Sequence, residues 1–277
     1  MNLRKLLTAG VGALALTVAT SAVRADILDD IKKKGEMVVG MEVAYVPYEF
    51  FKDGEVMGYD VDLTRKFAEK LGVKVTFVDT EWAGIIPALL AKKFDVIISG
   101  MTITAERAQK VNFSMPYAEA TSVVLARADD DSIKTAEDMA GKRMGAQLGS
   151  AADKVAKQFE ATLKAKGKPG YTDYKLYDHY PEAYVDLTNK RLDGVVNALS
   201  SLQIVIKEAP GKYKTVTGVQ AIKAYFGMAF RLEDKQMLAF VNEQLGAMKK
   251  SGELDKMQIK WFGGTMETPN EVPKELP

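Results

Sequence analysis

Between Ser99 and Arg107 the chain reads SGMTITAER, which places three hydroxyls, a glycine and a guanidinium within nine residues. Ser99, Gly100 and Thr102 follow a short apolar run, and Thr104 suits the cap of a new helix with Glu106 in its first turn. Arg107 falls in that same first turn, where the helix dipole disfavours a cation, so helix stability does not account for it. Hydroxyls, backbone N–H donors beside a glycine and a planar guanidinium fork together make a carboxylate clamp. An exposed arginine paired with Glu106 or Glu119 accounts for the same residue types, and Gly100 equally suits a tight turn.

Other chemistries are poorly supplied. The 277 residues include no cysteine, which removes disulfides and thiolate metal sites. The single histidine, His179, reads as a loop residue and leaves no basis for a zinc site or a Ser/His nucleophile. No cofactor is expected. The composition is 47% hydrophobic and 27% charged, normal for a globular chain, and a formal net charge of +1 speaks against a nucleic-acid partner. The lysine-rich stretch at 164–168 reads as a solvated loop.

The clamp needs elements to hold it. Phe94, Val96, Ile97 and Ile98 form a nearly continuous apolar run, as for a strand buried on both faces of a parallel sheet, and Ser99 stands where that strand ends. Ahead of it, strands are expected at 36–41 and 73–77. Helices are expected around Val61–Leu71, closed by Gly72, and Ile85–Leu90; Asp53-Gly54 reads as a hairpin turn. Beyond Tyr117 the pattern restarts, with strands expected at 122–126, 143–147, 174–177 and 193–197, helices at 155–163, 181–190 and 202–207, and a late strand at 226–230. Strands alternating with helices give βαβ units and a parallel sheet at whose carboxyl ends ligands bind.

One internal similarity links the halves. KKFDVIISG at 92–100 is echoed by KRLDGVVNA at 190–198: a basic pair, an apolar residue, aspartate, an apolar run, then a polar and a small residue. Two generic helix-to-strand junctions would look alike by chance; two similar α/β lobes facing one crevice would give the same echo and would bring Asn197 to the site.

At the N-terminus, Arg4 and Lys5 precede an apolar run from Leu6 to Ala19, and Val23-Arg24-Ala25 offers small residues for a cut after Ala25. The reading is a secretory signal peptide over 1–25 and an exported mature chain.

The ordered set Gly58-Tyr59-Asp60-Val61-Asp62-Leu63, Trp82–Pro87, Phe94–Arg107, Gly145–Ser150, Leu254–Met257 and Lys260–Gly263 resembles the family 3, polar amino-acid type, of periplasmic solute-binding proteins of bacterial ABC transporters. The resemblance implies an α/β two-lobed periplasmic-binding-protein fold (type II-like), with two βαβ-based lobes, a two-segment hinge and the ligand cleft between them. Lobe 1 would comprise 26–119 and 227–277, and lobe 2 120–226, with crossings near 117–122 and 221–227. It implies that Arg107 grips a carboxylate, helped by Gly100 and Thr102, while Tyr45 and Trp82 sandwich the ligand and Glu42 meets its far end. Gly149, Ser150 and Ala151 would line the other face at a helix N-terminus. The implied function is periplasmic capture of an amino acid or related small polar carboxylate by a monomer, without catalysis, for an ABC permease in the inner membrane. One departure stands out: where relatives that bind α-amino acids carry an aspartate, this chain has Ala198. Either Glu42 or another acid such as Glu182 meets the ammonium, or the ligand lacks one. A same-fold enzyme of the cyclohexadienyl dehydratase type and a ligand-sensing module are the alternative expectations.

Overall fold

The computed structural model describes residues 26–277, so the expected signal peptide and its cut lie outside the described residues. Two five-stranded sheets organise them. The first runs in the order Lys74–Asp79, Glu36–Met41, Val96–Ile97, Ala229–Phe230, Asn112–Phe113. The second runs Asp173–Tyr177, Arg143–Gln147, Gly194–Ala198, Ser122–Arg127, Tyr213–Val216. In each sheet the first three strands are parallel, the fourth runs antiparallel to both its neighbours, and the fifth runs in the direction of the first three. The sheets are therefore mixed, where sequence suggested parallel. Ser122–Arg127 and Ala229–Phe230 enter directly from the connecting segments, without the crossover helix that a parallel partner requires.

Helix faces cover the sheets as their periodicity dictates. Tyr59–Leu71 buries Val61, Leu63, Phe67 and Ala68, and stops at Gly72 with φ 68°. Ala151–Ala165 buries Val155, Ala156, Phe159 and Leu163. The small antiparallel sheet of Ala44–Tyr45, Glu49–Lys52 and Glu55–Met57 turns at Asp53-Gly54, both at positive φ, as a tight hairpin demands. The late strand expected at 226–230 is instead two pieces: Tyr225–Phe226 pairs with Ala118–Glu119, while Ala229–Phe230 joins the first sheet. Tyr117 N–H to Phe226 O (3.1 Å) and Ala120 N–H to Ala224 O (2.8 Å) extend that pairing, so the two connecting segments lie side by side.

The echoed junctions are geometrically equivalent. Lys92 and Lys190 both adopt φ 60°. Asp95 N–H donates to Val38 O and Asp193 N–H to Arg143 O, each at 2.8 Å. Each aspartate carboxylate then accepts the N–H of that same neighbouring residue, at 2.8 and 2.9 Å. Chance similarity does not reproduce a backbone strain and a reciprocal bond pair at both sites. The two units share one construction, and their equivalent strand ends face each other.

Candidate functional site

Where those strand ends meet, a small cavity of about 20 Å³ lies between the sheets. Of the expected residues, Glu42, Tyr45, Trp82, Gly100, Thr102, Ser150, Ala151 and Asn197 line it. Gln147 and Tyr180 line it as well and were not anticipated. Ser99, Arg107 and Gly149 do not line it. Arg107 and Gly149 stand with Trp82 in the wall shared with an adjoining surface groove.

Thr104 caps the helix Ala105–Ala108, accepting the Arg107 N–H at 3.3 Å. That helix has only four residues, so Arg107 sits in its last turn as much as its first. The expected clash with a helix dipole dissolves, because one turn carries little macrodipole. What singles out Arg107 is its burial. Its side chain donates from Nη1 to Thr102 O (2.9 Å) and from Nη2 to Gly149 O (3.2 Å), and its Cζ lies 5.1 Å from the Trp82 ring centre. Neither Glu106 nor Glu119 pairs with it: Glu106 bonds Lys110 and Lys154, and Glu119 pairs with Lys223. Desolvation lowers its pKa to about 10, the mark of a cation held without a carboxylate among the described residues. Trp82 Nε1 also donates to Gly149 O (3.3 Å), so this carbonyl, beside a glycine at φ 71°, ties the second unit to the clamp.

Ser99 and Gly100 act beneath the cavity. Ser99 Oγ accepts the Glu42 N–H (3.0 Å) and donates to Glu49 Oε1 (2.8 Å). The Gly100 N–H, expected to face the ligand, donates instead to Asp60 Oδ2 at 2.7 Å. Gly100 has φ 42°, and a Cβ there would stand 2.7 Å from the Tyr45 ring. Its need is therefore close approach to an aromatic, with no free donor. Asp60 also accepts the Tyr117 hydroxyl (2.8 Å) and is fully buried beside fully buried Glu49. Burial pushes both carboxyls up, Asp60 to about 7, and their interaction lets them share a proton.

The two units also bond across the cavity. Tyr45 Oη donates to Asn197 Oδ1 (3.0 Å), and its ring stacks on Tyr180 at 5.7 Å. Asn197 in turn donates to Tyr184 Oη (2.8 Å). Ser150 spends its hydroxyl on its own helix, accepting the Asp153 N–H at 3.0 Å, and so presents the N-terminus of Ala151–Ala165 to the cavity. Glu42 is the one acid among the lining residues, and Glu182 is exposed elsewhere. Gln147 Nε2 (2.6 Å) and His179 Nδ1 (2.6 Å) both contact Glu42 Oε1. His179, read as a loop residue, holds the N-cap position of Tyr180–Thr188. The signal that could have found Gln147 was its place at a strand end directly before Gly149-Ser150. His179 and Tyr180 likewise stand at the start of a helix.

A family model described as bacterial extracellular solute-binding proteins, family 3, matches residues 37–264. The L-cystine-binding protein TcyJ of Escherichia coli (strain K12) is 33% identical over 260 residues, 92% of this chain and 94% of its own length. The ABC transporter arginine-binding protein 1 of the same strain is 32% identical over 227 residues, 80% of this chain and 89% of its own. Among solved structures, the ancestral amino acid-binding protein AncCDT-1, a precursor of cyclohexadienyl dehydratase, superposes with a TM-score of 0.77 at 37% identity. It covers 85% of this chain and 99% of the ancestral one. A mutant of ArgBP from T. maritima gives 0.75 at 36% identity, with the same coverage. The chain is two-lobed like these neighbours.

Proposed function

The chain belongs to the bacterial extracellular solute-binding proteins, family 3, and from that premise we propose that it captures an amino acid or related small polar carboxylate for the permease of an ABC importer. The observation that carries this reading is Arg107: a buried guanidinium bonded to Thr102 of the cavity wall and to Gly149 of the other lobe, unpaired with any carboxylate among the described residues. A ligand carboxylate would supply the missing charge in the bidentate geometry that arginine suits. Relatives named for binding L-cystine and arginine support the ligand class.

We set the lobes at 26–119 with 227–277, and 120–226, so that the paired segments Ala118–Glu119 and Tyr225–Phe226 form the hinge. Two crossings of this kind permit rigid-body closure. In the closed form Trp82 covers one side of the ligand, Tyr45 the other, and the helix beginning at Ala151 faces it from the second lobe. Glu42 Oε2, left over when Oε1 is held by Gln147 and His179, is our choice for the ammonium in place of an acid at Ala198. The reading is of a monomeric binding protein without turnover, exported to the periplasm. A relative named the lysine/arginine/ornithine-binding periplasmic protein, 31% identical over 232 residues, supports that compartment.

A thermal-shift screen of the twenty amino acids against keto acids and other organic acids tests the proposal. A rise in Tm with an amino acid supports it. A response confined to acids without an amino group removes the amino-acid reading, and steady conversion of a bound acid would replace binding by catalysis.

A further inference from the structure

His179 is the chain's only histidine, and it sits where the two lobes touch. Its Nδ1 lies 2.6 Å from Glu42 Oε1 and its Nε2 3.5 Å from Glu81 Oε2, both carboxylates belonging to the opposite unit. Other direct bonds between the lobes include Tyr45 to Asn197, Arg107 and Trp82 to the Gly149 carbonyl, Gln147 to Glu42, Tyr48 to Ser200 and the ion pair of Lys154 with Glu106. None of their donors changes charge near neutral pH. An imidazole between two carboxylates does.

We propose that His179 is a proton-operated latch that holds the cleft closed in mildly acidic surroundings and releases it as pH rises. This device rests on the two-lobed, hinge-closing reading above but does not depend on which ligand is bound. Closed, Glu42 is almost fully buried and His179 retains about a third of its side-chain surface, so the pair holds its proton in a partly dry contact. Burial pushes the Glu42 carboxyl up while its contacts with Gln147 and His179 pull it down, and the hydrogen bond to Glu42 pushes the imidazole up, so closure strengthens the imidazole's hold on its proton. Opening the hinge separates them and returns each to water. Closure is thus favoured fully below the ordinary histidine value, and the advantage is lost as pH climbs through the raised one.

The groups facing the pair agree in sign. Glu81 from the first unit and Glu182 on the histidine's own helix add negative charge that favours the imidazolium. Gln147 fixes Glu42 Oε1 whatever the proton does. Asp178 precedes His179 on the second unit, Asp79 accepts the Val43 N–H beside Glu42 at 2.9 Å, and Glu49 and Asp60 lie wholly within the first unit behind Ser99; none of these carboxylates bonds across the gap between lobes.

The absence of native cysteine makes the test direct. Ala91 and Gln158 are exposed, one on each unit, and spin labels on Ala91→Cys with Gln158→Cys report the separation of the units by pulsed dipolar spectroscopy. For unliganded full-length mature protein, the short-distance population should fall about threefold or more between about pH 5.5 and about pH 8.5. In the added His179→Gln background it should not change over that range. Unfolding is checked by circular dichroism at both ends. A wild-type distribution that ignores pH overturns the latch. So does a pH response that survives in His179→Gln, which would point to Glu49 and Asp60. Ligand binding plays no part in this measurement, so its failure leaves the transport reading standing.

Discussion

Arg107 reaches across the cleft and donates to the Gly149 carbonyl at 3.2 Å. One side chain thereby touches both units, and its planar fork suits the two-pronged contact that the proposed ligand carboxylate would make.

Arg107→Ala is expected to abolish binding of the ligand found by screening while leaving stability nearly intact. The lost contacts are two bonds to carbonyls and a stacking contact with Trp82, and against these stands relief from burying an unneutralised cation. Denaturant unfolding should differ from wild type by less than about 1.5 kcal/mol, and the ligand-induced rise in Tm should vanish. A preserved ligand shift would refute the clamp.

Gly58 precedes the helix Tyr59–Leu71 at φ 144°, and a Cβ there would lie 2.1 Å from the Tyr48 carbonyl oxygen. Gly58→Ala should therefore destabilise the fold by about 3 kcal/mol or more. Backbone rather than a flexible side chain blocks the space, so relief requires moving the hairpin that carries Tyr45. An unfolding midpoint close to wild type would contradict the tight approach.

Asp60 and Glu49 predict a pH dependence of stability. Both carboxyls are raised by burial, so the folded protein keeps a proton that the unfolded chain releases near pH 4. Stability should fall as pH rises from about 4, most steeply up to about 7 where the raised value of Asp60 lies, and go on falling beyond it while Glu49 keeps its proton. Asp60→Asn, whose amide can donate where the shared proton stood, should flatten that slope. A slope unchanged in Asp60→Asn would place its origin elsewhere.

Tyr45→Phe removes the hydroxyl that joins Tyr45 to Asn197. Asn197 Oδ1 still accepts the Ala198 N–H at 2.7 Å, so no buried group is orphaned and the stability cost should stay within about 1.5 kcal/mol. The expected effect is on closure, read as a wider spacing between labels on the two units. An unaltered distribution would assign this bond no part in holding the lobes together.

Much of this site was legible in the residues because strand ends and caps are local. The run ending at Ser99, the cap at Thr104 and the echo of 92–100 in 190–198 all depend on neighbours a few positions away. Lys92 and Lys190 take the same strained φ because the same local sequence turns the chain into the same strand. What could not be read was set by long-range packing. The Gly100 N–H faces Asp60, forty residues away, and His179 meets Glu42 across a gap of 137 positions. The late strand split at Gly227 for a similar reason. Its first half pairs with the segment leaving the first lobe and its second with Asn112–Phe113, a division that no periodicity over five residues encodes.

Arg107 is proposed to hold a ligand carboxylate between two lobes. Calorimetric titration with the amino acid selected by screening, set against its α-carboxamide, tests it most directly. The two ligands differ by one charge at the group the clamp should grip. Loss of a charge-assisted, two-pronged contact worth about 3 kcal/mol predicts a carboxamide bound about 100-fold more weakly, or not at all. Equal affinity for acid and amide would contradict the account.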